Sequence, residues 1–134
     1  MEKVSALLVS AGNESFDRLE LALRSEGIET HQARDNAELV VLLEERDSPQ
    51  MIFTDTTLPD GTWVDVLRLS APYSVPVIVV SRLVDLELYV DCLQCGVLHF
   101  IVPSFVGADL AHVVVRGAVW NQSEGRLRQA SAAR

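Results

Sequence analysis

Short, nearly unbroken apolar runs alternate along this chain with longer segments in which apolar residues recur every three or four positions. Val4–Ser10 is the first run; Ala6, Leu7, Leu8 and Val9 leave no polar alternation, which predicts a strand buried on both faces. Phe16, Leu19 and Leu23, with Ala22 beside them, then fall on one helical face, and Asp17, Arg18, Glu20 and Arg24 lie on the wetter side. Gly27 closes that helix. Ile28–Ala33 is a short second strand, and Asp35 or Asn36 caps a helix with the stripe Leu39, Val40, Leu42 and Leu43. Met51-Ile52-Phe53-Thr54 makes a third strand that ends at Asp55. Leu58-Pro59-Asp60-Gly61 is turn chemistry, and a helix follows through Val64, Val66, Leu67 and Leu69. Pro76–Ser81 is the most apolar strand. Asp85–Cys95 is helical and closed by Gly96, and Phe100-Ile101-Val102 is a fifth strand stopped by Pro103. Ala108–Trp120 is the last predicted helix, weakened at its end by Gly117.

Five strand–helix units without long loops predict an α/β fold: a five-stranded parallel sheet, doubly wound, with helices on both faces. Residues 1–120 form the predicted domain. The tail Asn121–Arg134 keeps only Leu127 as a large apolar residue and reads as a linker or frayed end. In such folds ligands collect beyond the carboxyl ends of the strands, which directs attention to Ser10–Asn13, Asp55–Thr57, Ser81–Arg82 and Val102–Ser104.

Composition narrows the functional classes. At 134 residues and 49% apolar the chain has the size and core content of one domain. Nineteen acidic residues face eleven basic ones, all arginine except Lys3, for a net charge of −8. That surface repels phosphate backbones and anionic lipid, so neither nucleic acid nor a membrane is an expected partner. No apolar run approaches the roughly 18–20 residues that cross a bilayer. The apolar start Val4–Ala11 runs straight into Asn13-Glu14, too short for a signal peptide, and the expected location is cytoplasmic. Two cysteines three positions apart are no disulfide framework.

Asp55 carries the candidate chemistry. It ends an apolar strand where this architecture gathers ligands, although an aspartate leaving a strand also serves simply to cap the next turn. Its setting runs through Leu58-Pro59-Asp60-Gly61 and Pro76-Val77-Ile78-Val79-Val80-Ser81 to Gly96 and Phe100-Ile101-Val102. This spacing resembles the receiver domain of two-component response regulators over about residues 4–120. The resemblance implies a signalling module rather than an enzyme, with Asp55 as the acceptor of a phosphoryl group from a partner histidine kinase or other signalling protein. It further implies that Ser81 and Thr57 contact the phosphoryl group and that Phe100 is the switch aromatic.

The chain departs from that family's pattern at three places. Ser10-Ala11-Gly12 stands where receivers carry the acidic pair that holds Mg²⁺, and Glu14, the nearest carboxylate, starts the helix instead. No lysine accompanies Pro103 after the fifth strand. Trp63 stands where the family often has a glycine. Phosphoryl transfer leans on a cation bridging acceptor and phosphoryl oxygens, and one aspartate with a backbone carbonyl is a poor Mg²⁺ site. The expectation is a degenerate receiver, phosphorylated slowly or not at all, with Mg²⁺ binding in doubt. Arg82, directly after Ser81, is the alternative source of the missing lysine charge.

Other constellations lead to blander readings. Cys92-Leu93-Gln94-Cys95 falls in a last helical turn, where the dipole has the wrong sign for a redox dithiol, and no second pair completes a zinc site. His31, His99 and His112 have no cysteine or carboxylate at ligand spacing. Ser10–Ser15 could form an anion cradle for a flavin or phosphate ligand, but it is neither a Walker nor a dinucleotide motif. The fourth helix is apolar over much of its girth, with Leu86, Leu88 and Val90 as an interaction face that Val115 and Trp120 would extend. A broad buried face is the plainer explanation. A homodimer or partner surface, like that of receivers at the same helix, is the sharper one; on it the domain would act as a phosphorylation-independent interaction module.

Overall fold

The computed structural model describes residues 4–45, 49–81 and 85–101. Within them run β1 (Ser5–Val9), α1 (Glu14–Ser25), β2 (Glu29–Ala33), α2 (Asn36–Glu45), β3 (Met51–Asp55), β4 (Thr57–Leu58), β5 (Gly61–Thr62), α3 (Trp63–Ser70), β6 (Val77–Val80), α4 (Leu86–Gln94) and β7 (His99–Ile101). Five strands form one parallel sheet in the order β2-β1-β3-β6-β7. The predicted doubly wound α/β sheet is the observed fold. The helix expected over Ala108–Trp120, the tail, Arg82, Val102–Ser104 and His112 lie outside the described residues.

Strand pleating divides the core. Ala6, Leu8, Met51, Phe53, Ile78 and Val80 face one side, where α1 packs Phe16, Leu19 and Leu23 against them. Leu7, Val9, Ile52 and Val77 face the other side, under Leu39 and Leu43 of α2 and Val66 of α3. All five residues of β3 are buried, as a central parallel strand covered on both faces requires. Burial of whole apolar side chains, about 1.5–3 kcal/mol each, is the main stabilisation of such a sandwich. Gly27 and Gly96 close α1 and α4 at φ of +79° and +93°, a region where a side chain would be strained.

Three local details differ from the sequence-based expectation. Leu58-Pro59-Asp60-Gly61 is more than a turn, since it closes a two-stranded antiparallel hairpin pairing Thr57 with Thr62 and Leu58 with Gly61. The apolar stripe of α3 keeps Val66, Leu67 and Leu69 on the core side, but Val64 is exposed and Trp63 is buried instead. Thr62 caps that helix, accepting from the Val64 N–H while the Asp65 carboxylate accepts from the Thr62 N–H, so the helix starts early enough to turn Trp63 inward. The last described strand begins at His99 rather than at Phe100.

Candidate functional site

The carboxyl ends of β1 and β3 lie side by side because Val9 pairs with Thr54. Ser10 and Asp55 are each the next residue, and both are buried, at 8% and 9% exposure. The Asp55 carboxylate is almost completely engaged. Its Oδ1 accepts the Thr56 N–H at 2.8 Å, and its Oδ2 accepts the Asn13 side-chain amide at 2.9 Å and the Ser10 hydroxyl at 3.4 Å. The Ser10 Oγ in turn accepts the Gly12 N–H at 3.1 Å.

Asn13 has a second duty. Its Oδ1 caps α1 by accepting the Phe16 N–H at 3.0 Å. This settles the orientation of the amide. Flipping it would set the carbonyl oxygen against a carboxylate and the NH₂ against a backbone N–H. Asn13 was legible in the sequence as part of a small-residue loop; its contact with Asp55 was not. An asparagine just ahead of a helical stripe signals a cap, but nothing in the sequence says what the free end of that cap touches.

The loop behind Asp55 is clamped. Asp60, in the turn of the hairpin, accepts the backbone N–H groups of Asn36 at 2.8 Å and Ala37 at 3.1 Å, capping α2 from 24 residues away. The Asn36 N–H is the main reason that the Asp60 carboxyl is held below its ordinary value. A Cβ on Gly61 would meet the Asp65 carboxylate and sit 2.8 Å from Asn36 Nδ2, so a side chain here would displace Asp65 from its place in the capping box of α3. The Trp63 N–H donates to the Thr56 carbonyl at 3.2 Å, tying α3 to the residue after Asp55.

The other predicted positions separate. Asp55 pairs with Val80, which sets Ser81 one residue beyond on the neighbouring strand, buried and donating its N–H to Ile101 O. Thr57 is exposed at the start of the hairpin. Phe100 is buried with Trp63, Val79, Cys92 and Val97, and its ring meets Tyr89 of α4 edge-on at 5.6 Å. Ala11 is exposed and has only backbone to offer a ligand. Glu14 begins α1 and pairs with Arg18 at 2.6 Å in solvent. Leu88 does not belong with the outward face of α4; it is half-buried against the cluster of Cys92 and Phe100, because residues 88 and 92 are one helical turn apart on the sheet side. The exposed members of α4 are Leu86, Tyr89, Val90 and Leu93. Cys92 is fully buried, its thiol pushed up to about 11 by that burial, whereas Cys95 is exposed. His31 sits in β2 with Nε2 3.2 Å from Glu29.

The response regulator receiver domain family profile matches residues 7–115. The chain belongs to that family. Solved receiver domains share the fold at low sequence identity. One from Clostridium thermocellum is 17% identical with a TM-score of 0.76, covering 89% of this chain and 97% of its own. The signal receiver domain of an HD domain-containing protein from Pseudomonas fluorescens Pf-5 is 20% identical with a TM-score of 0.82 over 94% of both chains. A receiver domain protein from Methanospirillum hungatei JF-1 is 21% identical with a TM-score of 0.77, over 92% of this chain and 99% of its own. Among curated proteins no sequence matches significantly.

Receiver domains are signalling modules of two-component systems, and their site implies Mg²⁺. The described side chains around Asp55 offer such an ion few ligands. Among the described residues no three carboxylate, histidine or cysteine side chains converge as a metal site. Ser10 and Asn13 present hydrogens, not lone pairs, to Asp55 Oδ2. The carbonyl oxygen of Asn13 is already taken by Phe16. A hard cation needs several oxygen ligands, and here it would meet one carboxylate whose near oxygen faces N–H and O–H groups. The same loop is a poor anion cradle, since the Asp55 carboxylate already supplies negative charge beside the α1 N-terminus. No helix among the described residues is long and apolar enough to cross a membrane.

Proposed function

We propose that this receiver domain takes a phosphoryl group on Asp55 from a histidine kinase or other signalling phosphodonor, through an attenuated, cation-poor site. The donor N–P bond breaks, an Asp55 O–P bond forms and the histidine nitrogen recovers its electron pair. The observation that carries this reading is a buried aspartate at the end of the central strand, with Ser81 one residue beyond its register partner on β6. Attenuation follows from the donors around Oδ2. They lower the charge available for attack and leave no cation to bridge the phosphoryl oxygens. Phe100 is the residue through which the site would be felt at α4, because Tyr89 lies against its ring. Arg82 is the candidate counter-charge.

The test is intact mass after incubation with acetyl phosphate, with and without Mg²⁺, beside an Asp55→Asn control. The expected result is a slow adduct, absent from the control, whose rate Mg²⁺ leaves unchanged. Fast, Mg²⁺-stimulated phosphorylation would refute attenuation. Complete absence of an adduct would refute phosphoacceptance and leave the interaction-module reading.

One observation favours a binding role for α4 in either case. Leu86, Tyr89, Val90 and Leu93 fall at i, i+3, i+4 and i+7, and all four are exposed, Leu86 at 73%. Glu87 and Asp91 run along an adjoining face, and α4 carries no basic residue. An antiparallel isologous pairing of two copies through this stripe would set the acidic edge against itself, which costs affinity. The partner that fits is an amphipathic helix of another signalling protein with arginine or lysine beside its apolar stripe. A basic-flanked peptide is expected to bind more tightly than an acid-flanked one bearing the same stripe, with the domain remaining monomeric by sedimentation. Equal binding or self-association would reject this partner.

A further inference from the structure

The side chain of Asn13 lies against the Asp55 carboxylate, and it connects two parts of the fold. One end of the amide holds Asp55 Oδ2 at 2.9 Å; the other caps α1 through the Phe16 N–H at 3.0 Å. Asn13 is half-buried, and its contact with Asp55 spans 42 residues of sequence. Both ends are committed by donor–acceptor logic, so the amide cannot turn its oxygen toward an ion without breaking both contacts. Ser10 adds a second donor on the same oxygen and is itself held by the Gly12 N–H. The polar groups at the carboxyl end of β1 therefore form a closed set that satisfies a buried carboxylate without any ion.

We propose that Asn13 is the positioning residue of this site, an internal substitute for the divalent cation, and that it decides the site's indifference to such ions. The proposal does not depend on whether Asp55 accepts a phosphoryl group. Asp55 is a carboxylate fixed by an amide in place of a metal, and the same amide ties its position to the first turn of α1. Aspartate and asparagine are about equally good N-caps, so Asn13→Asp keeps the cap of α1 while changing what faces Asp55 Oδ2. Under the present proposal that replacement removes the donor and sets a second carboxylate beside Asp55 Oδ2, which creates the missing ligand pair.

The test uses Mn²⁺ as the probe, with free ion followed by electron paramagnetic resonance and the melting temperature recorded in the same samples. The intact domain is expected to take up no more Mn²⁺ than its Asp55→Asn variant, and its melting temperature to be unmoved by the ion. Asn13→Asp is expected to bind Mn²⁺ about tenfold or more tightly than the intact domain. Its melting temperature should rise with added ion, an effect abolished by combining it with Asp55→Asn. Uptake by the intact domain that is lost in Asp55→Asn would overturn the proposal. So would an Asn13→Asp variant that folds, by circular dichroism, yet binds no better than the intact domain. If Asn13→Asp does not fold without the ion, Asn13→Ser, which keeps a capping oxygen but has no amide, provides the second reading. It should fold, and should bind Mn²⁺ more tightly than the intact domain because the Oδ2 lone pair is freed; binding no tighter than the intact domain would reject the role assigned to the amide.

Discussion

The loop around Asp55 and the outer face of α4 treat side-chain chemistry in opposite ways. At the site each Asp55 oxygen has a partner supplied by the chain itself: Thr56 on one side, Asn13 and Ser10 on the other. On α4 four large apolar side chains are exposed, Tyr89 keeping only an edge contact with Phe100; among the described residues, half of the eight large exposed hydrophobics lie on this one nine-residue helix. A buried charge left unpaired is costly, and here the chain's own donors satisfy it. An exposed apolar side chain has no such compulsion, and an unspent stripe is where a surface remains open to a partner. In this domain, therefore, the polar groups at Asp55 are turned inward onto one another while the apolar stripe of α4 is turned outward. Phe100 is buried beside Trp63 and its ring touches Tyr89 of α4.

The sharpest way to set buried against exposed apolar residues is to truncate one of each. Phe53→Ala, in the centre of β3 and wholly buried, is expected to destabilise the domain by about 3–5 kcal/mol in urea unfolding. Asn13→Ala opens the closed region. It removes a helix cap and a donor to a buried carboxylate, with an expected loss of about 1–2 kcal/mol by the same measurement.

Acid titration probes the clamp behind the site. Asp60 has a folded-state carboxyl held below its unfolded value of 3.8 by the Asn36 N–H, so the charged form favours the folded state. That contribution is fully present above the unfolded value and is lost as pH falls through the folded one. The difference in melting temperature between the intact domain and Asp60→Asn should accordingly be constant near neutrality and shrink below about pH 4. A gap independent of pH would mean that the charge of Asp60 contributes nothing to the clamp.

The smallest expected effect belongs to the open region. Leu86→Ser should change stability by no more than about 0.5 kcal/mol, since the side chain is already in water. A loss of several times that would show that the face is covered within the domain, and the contrast between the two regions would fall.

How far these features could be read in advance depended on how local they are. The strands Ser5–Val9, Met51–Asp55 and Val77–Val80 were visible as unbroken apolar runs, because a strand covered on both faces has no polar positions to interleave. Gly27 and Gly96 marked helix ends through their own backbone freedom. Asp55 stood out for its place at a strand end. The β4–β5 hairpin was harder, since four residues of turn chemistry do not reveal that their flanks pair. The burial of Trp63 was not legible, because the capping box formed by Thr62 and Asp65 sets the start of α3 at Trp63, and that box is a matter of side-chain geometry. The α4 stripe was readable as apolar, but its outward members were not, and Leu88 was placed on the wrong side.

What the sequence determined alone was periodicity: the order of strands and helices, their burial patterns, their stops and the aspartate at the end of the central strand. These follow from interactions between residues a few positions apart, which any reading of the chain can follow. Only the tertiary structure decided the rest. Asn13 reaches Asp55 because β1 and β3 pair in a particular register, Asp60 reaches α2 because the hairpin folds over it, and Leu88 rather than Tyr89 turns inward because of how α4 lies on the sheet. Each joins side chains distant in sequence, and a hydrogen bond requires its partners to meet within tenths of an ångström. Such distances exist only once the strands have paired and the helices have packed.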